Sequence, residues 1–164
     1  GQPQHASIPT RLRKLKMTVS ITAAMTPELL PPLLAMMGLT ATVWLFMYVR
    51  RLGYMLAKGI DAQDVSTPQK MAALIPEAVE RPANNLRNLF ELPVLFYALC
   101  LLLTHMGWAQ ALDVQLAWAF VGLRALHSLV HCTINYVNAR FAFYVLSSLA
   151  LWAMLARACL RLWG

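Results

Sequence analysis

The sequence predicts an all-α membrane protein built as a bundle of four transmembrane helices. Three observations lead there. The chain is 59% hydrophobic and 13% charged, with a mean hydropathy of +0.55, whereas a soluble domain is nearer half apolar and a quarter charged. Four apolar runs are separated by Pro, Gly and charged breakers. Polar residues on three of these runs gather toward one end. The 164 residues suit one membrane domain, expected over 27–164, behind a basic tail over 1–26.

That tail holds Arg11, Arg13, Lys14 and Lys16 and no acid before Glu28. Its composition is transit-peptide-like, and it is expected to lie on a surface or move freely. Leu29 to Val49 is an uncharged run long enough to cross about 30 Å of hydrocarbon as helix. Pro31 and Pro32 suit its first turn, and Arg50 and Arg51 end it. Tyr48 and Tyr54 are placed like an interfacial belt. Gly53 to Val79 is the longest polar connection, broken by Pro68 and Pro76, and a short surface helix is expected within it.

The second helix is expected to start near Pro82 and run to about Thr104. Its apolar part, Leu92 to Leu103, is too short to span alone. Its polar first half must therefore sit at membrane depth or just above, shielded by protein. A turn at Gly107 leads to a third helix over roughly Ala111 to Val137. Arg124, His127, Ser128, His131, Asn135 and Asn138 follow helical spacing and predict one polar face. Asn138 to Arg140 reads as the shortest turn, and the fourth helix as about Phe141 to Leu162. Arg157, Arg161 and Trp163 close it at the far interface. The four spans are expected at 27–56, 80–106, 110–137 and 139–162.

The net charge of +7 comes from 14 basic and 7 acidic residues. In a membrane protein such an excess marks loops facing anionic lipid, and nothing here resembles a nucleic-acid motif. Cys100, Cys132 and Cys159 lie in apolar runs without a CxxC pair. They read as buried thiols, not as a disulfide framework or a metal site.

The stretch from Glu80 to Cys100 carries the chemistry. Asn84, Asn88 and Glu91 fall at i, i+4 and i+7 on one helical stripe, with Arg87 at its edge. Such groups at the mouth of a membrane helix are costly unless something binds them. The plain alternative is a helix start with solvated charges. Arg124 and His127 lie deeper on helix three, and Arg140 and Tyr144 stand one turn apart on helix four. A lone His or Arg in a bundle is usually a satisfied packing residue. Three polar faces converging on one region point to a ligand, or to a hydrogen-bond network that holds subunits together.

These residues resemble the MAPEG family, the membrane-associated proteins in eicosanoid and glutathione metabolism. The likeness covers about Leu29 to Leu162 and is nearest the bacterial-type members. The family's Arg-x-x-Arg-Asn-x-x-Glu reads here as Asn84, Arg87, Asn88 and Glu91. Its Arg-x-x-His reads as Arg124 and His127, followed at the family's spacing by Arg140 and Tyr144. The resemblance implies a homotrimer with glutathione, a co-substrate, bound between neighbouring subunits. Arg51, Asn84, Arg87, Asn88, Glu91, Arg124, His127, His131 and Tyr144 are then the binding candidates. Arg140 is the catalytic one, facing the thiol. A guanidinium there favours thiolate, the nucleophilic form.

The implied activity is a membrane-bound glutathione-dependent transferase or peroxidase acting on lipophilic electrophiles. The setting is a bacterial inner membrane or an organelle membrane. Three departures weigh against it. Phe141 stands where the family's prostaglandin synthase has Ser, and His131 where it has Tyr. Asn84 replaces a charged residue. The family also holds a non-enzymatic lipid-presenting member, so a non-catalytic lipid-binding or assembly subunit is the alternative.

Overall fold

The structure, a computed structural model, describes residues 28–163. The basic tail expected over 1–26 lies outside them. Among the described residues every regular element is helical: α1 (Leu30–Lys58), a 3-10 turn (Ala62–Val65), α2 (Pro68–Leu74), α3 (Glu77–Leu89), α4 (Leu92–His105), α5 (Ala111–Cys132) and α6 (Val137–Trp163).

Helix α1 starts with Pro31 and Pro32, whose missing N–H groups cost nothing in a first turn. It stops at Gly59, which takes a left-handed φ of 64°. The Gly59 N–H then reaches the Leu56 carbonyl at 3.3 Å, and the Ile60 N–H reaches that of Met55 at 3.0 Å. These bonds satisfy carbonyls that the helix end would leave bare. The expected surface helix in the long connection is α2, capped by the Thr67 side chain. Val65 and Ile75 fold back onto Met55 as a small cluster under the end of α1.

The second helix departs from expectation at both ends of its polar half. It starts at Glu77 behind Pro76, so Pro82 sits inside it rather than at its first position. It then breaks at Phe90 and Glu91. Pro93 explains the break: it has no N–H to give the Leu89 carbonyl, and its ring crowds that carbonyl. The chain restarts with Pro93 in the first turn of α4.

The third helix also corrects the sequence reading. It ends at Cys132, not near Val137, and the tight turn is 133–136, not Asn138 to Arg140. Asn135 turns the chain with φ 51°, a conformation that asparagine tolerates better than most residues. The polar face therefore stops at His131, and Asn138 belongs to α6. Of the cysteines, Cys100 and Cys132 are buried as expected, but Cys159 is exposed.

One apolar core runs through the bundle. Met36 of α1, Phe96 and Leu103 of α4, Phe120 of α5 and Met154 of α6 are all fully buried in it. The rings of Phe96 and Phe120 stack with centroids 4.5 Å apart. Among the described residues three stretches are long and apolar enough to cross a membrane: Leu30–Lys58, Glu77–His105 and Val137–Trp163. Helix α5 is long enough at 22 residues, but Asp113, Gln115, Arg124, His127 and His131 keep it out of that group.

At one end of the bundle a charged clamp ties α6 to the start of α5. Asp113 is fully buried, and its two oxygens accept from Arg157 Nε and Arg161 Nη2, each at 2.7 Å. Gln110 Oε1 accepts from both arginines, and the Trp108 carbonyl accepts from Arg161 Nη1 at 2.6 Å. Charge-assisted bonds to a buried carboxylate are among the stronger polar contacts in a protein. Asp113→Ala should therefore destabilise the detergent-solubilised protein by about 2 kcal/mol. Thermal unfolding followed by circular dichroism checks this, and an unchanged midpoint would show the clamp to be idle.

Candidate functional site

At the opposite end, α3, α5 and α6 open a cleft of about 640 Å³. Its walls follow from helical spacing. Asn84 and Asn88 stand one turn apart on α3, His127 and His131 one turn apart on α5, and Arg140 and Tyr144 one turn apart on α6. Arg87 joins them from α3. Glu91 arrives from the break after α3, so it reaches the cleft from a kinked segment and not from a continuous helix.

A hydrogen-bond network crosses the cleft. His127 Nδ1 donates to the Arg140 carbonyl at 2.7 Å, which places its proton on Nδ1 and leaves Nε2 as an acceptor. Arg140 Nη1 donates to His131 Nε2 at 2.9 Å and to Asn135 Oδ1 at 2.6 Å. A neutral His131 then carries its proton on Nδ1. The Asn88 amide nitrogen lies 3.4 Å from both His127 Nε2 and His131 Nδ1. It can donate to His127, but the His131 nitrogen it faces is itself a donor. One amide orientation serves one histidine and the opposite orientation serves the other.

Two candidates lie outside the cleft. Arg51 forms a bidentate pair with Glu80, Nε to Oε1 at 2.9 Å and Nη2 to Oε2 at 2.7 Å. It borders a neighbouring cleft that shares only Glu77, Asn84 and Arg87 with the first. The expectation that Arg51 joins the other candidates is thus not met within one chain, because Glu80 takes up its guanidinium. Arg124 is fully buried under Tyr144. Its guanidinium carbon stands 4.5 Å from the Tyr144 ring centroid and 5.4 Å from that of Phe120. Among the described residues none of its three nitrogens has a hydrogen-bond partner.

The cleft also holds residues outside the candidate set. Glu77 and Arg81 line it, and Asn135 joins both as an Arg140 acceptor and as a donor to Glu77 Oε1 at 3.0 Å. The signal for the first two was present. Glu77, Arg81, Asn84 and Asn88 continue one helical stripe back by two turns, but a helix begun at Pro82 cuts it off. Nothing in the spacing pointed to Asn135 as a turn residue.

Its charge suits an anion. Arg81, Arg87 and Arg140 line the cleft against Glu77 and Glu91, and Arg124 lies beneath. Val137 and Phe141, the latter 65% exposed, give it an apolar lip.

The MAPEG family model matches residues 29–160, from the start of α1 to the last turns of α6. The chain belongs to the MAPEG family. No curated protein and no solved structure matches the chain. As a MAPEG protein with long apolar helices it is an integral membrane protein. Membership associates it with membrane glutathione or lipid metabolism. Within this MAPEG fold Asn84, His131 and Phe141 all fall on the cleft itself: Asn84 lines its α3 wall, His131 contacts Arg140, and Phe141 forms the lip.

Burying a guanidinium without a hydrogen-bonding partner costs stability that two ring faces only partly offset. Arg124→Met should raise the thermal midpoint of the ligand-free protein, by about 1 kcal/mol in stability. A scanning fluorescence melt in detergent measures it. A lowered midpoint would mean that the rings fully offset the charge.

Proposed function

We propose that this protein is a glutathione-dependent transferase or peroxidase that acts on lipophilic electrophiles from within the membrane. The observation that carries this reading is the cleft's composition: a surplus of guanidinium groups, amide and imidazole partners, and an apolar lip in one space of about 640 Å³. Glutathione brings two carboxylates, an amine and a thiol. Arg87 and Arg81 suit the carboxylates, since a guanidinium holds them by paired hydrogen bonds. Glu91 suits the amine. Arg140 suits the sulfur, where its charge favours loss of the thiol proton to solvent. The thiolate then forms a bond to the electrophilic carbon, and the leaving group departs with its electron pair. With a hydroperoxide the same thiolate attacks the terminal oxygen and the O–O bond breaks, giving a sulfenic acid and an alkoxide that takes a proton from solvent. A second glutathione then reduces the sulfenic acid, forming glutathione disulfide and water.

The assembly belongs to the same proposal. Helix α5 packs along α6 and against α1 and α3, which supports its crossing with them as a fourth span. The chain then works as a homotrimer. Arg51, which borders the second opening with Asn84 and Arg87, would reach a neighbour's cleft through Nη1, the nitrogen that Glu80 does not bind. A second reading, a non-catalytic lipid-binding or assembly subunit, is favoured by Phe141, an exposed ring beside Arg140 where a hydroxyl would assist a thiolate.

Titration calorimetry of the purified protein with glutathione separates the two: saturable heat supports the enzyme, and silence supports the subunit. With a generic aromatic electrophile, Arg140→Ala should lower kcat by about a hundredfold. Arg87→Ala should instead raise KM for glutathione roughly tenfold. Equal losses in kcat and KM for both variants would contradict these roles. Native mass spectrometry in detergent should show a trimer, and a stable monomer would overturn the assembly.

A further inference from the structure

The Arg140 side chain has more structure around it than an anion-binding arginine requires. Both N–H bonds of Nη1 are spoken for, one by His131 Nε2 at 2.9 Å and one by Asn135 Oδ1 at 2.6 Å. No hydrogen bond from its Nε or Nη2 is present among the described residues. The two acceptors are themselves fixed. His131 is buried on α5, 5.5 Å from the His127 ring in an edge arrangement. Asn135 is held by its left-handed backbone, by its N–H to the Val130 carbonyl at 2.8 Å, and by Nδ2 to Glu77 Oε1 at 3.0 Å. The Arg140 backbone is pinned as well, by the His127 bond to its carbonyl.

We propose that His131 and Asn135 are positioning residues for Arg140. Together they hold Nη1 so that the rest of the guanidinium keeps one edge toward the cleft. The inference rests on the glutathione reading for its catalytic consequence, but not for its geometry. An arginine side chain has several rotatable bonds, and a catalytic charge is effective only when it is held where charge develops. Two acceptors on one terminal nitrogen fix the plane of the guanidinium as well as its position. The imidazole can do this only in its neutral form with Nε2 unprotonated; an imidazolium would present a donor and a second positive charge. Asn135 adds an acceptor that does not titrate, and through Glu77 it carries the anchor to α3.

Three variants separate positioning from packing. His131→Leu keeps an apolar volume and removes the acceptor. Asn135→Gly keeps the left-handed backbone and removes the amide. Each should lower kcat about tenfold while KM for glutathione moves little. His131→Gln, whose side-chain oxygen can accept from Arg140, should restore most of the loss. If His131→Gln is as poor as His131→Leu, or if the losses lie in KM alone, the positioning role is wrong. Nitrogen-15 NMR of the histidines in detergent, at a pH where they are neutral, tests the geometry without glutathione. His131 should show protonated Nδ1 and unprotonated Nε2, and Arg140→Leu should abolish that preference. A proton on His131 Nε2 in the wild-type protein would overturn the proposal. A protein with no glutathione turnover at all would sink the functional reading, and the NMR result would still decide the positioning.

Discussion

The bond from His127 Nδ1 to the Arg140 carbonyl, 2.7 Å long, ties α5 to α6 close to the turn at 133–136 that joins them. The rest of the cleft depends on it. It sets the tautomer of His127, and so decides which way Asn88 of α3 can serve it. It also places the base of the Arg140 side chain so that the guanidinium can reach His131 and Asn135. A polar group in an apolar bundle has no water to turn to, so each must find its partner in the protein. Here that requirement links three helices and one turn.

The two ends of the bundle meet the same requirement differently. At the Asp113 end, two arginines share one buried carboxylate, one amide and one carbonyl. That arrangement holds α5 and α6 together. At the cleft end, among the described residues, Arg124 has aromatic faces beside it but no hydrogen-bond partner, and Arg140 uses only Nη1. A site that retains unbalanced charge at a cost in stability is where ligand binding is expected. The contrast within one chain separates a clamp from a cleft more firmly than the residue types do, since both ends are rich in arginine.

Much of this was legible in the residues. The pairs Asn84/Asn88, His127/His131 and Arg140/Tyr144 meet in the cleft because one-turn spacing puts both members on one face. The errors came from the prolines and the turn. Pro82 looks like a helix start but lies inside α3, and Pro93 looks tolerable but breaks the helix before α4. A proline in a sequence marks a missing donor without saying which carbonyl goes unserved. Asn135 looks like one more member of a polar face, and only its backbone angle shows it to be the turn.

By itself, then, the sequence determined the solvent and the periodicity. Apolar runs of spanning length demand a bilayer, and helical spacing decides which polar residues share a face, because both follow from local geometry and transfer energy. The tertiary structure decided the pairings. Arg51 and Arg124 carry the same charge and both sit near polar patches. One is neutralised by Glu80, twenty-nine residues away in sequence, and the other lies under Tyr144 with no hydrogen-bond partner among the described residues. Which acid reaches which arginine depends on how helices pack across the bundle, and no spacing along one helix encodes it.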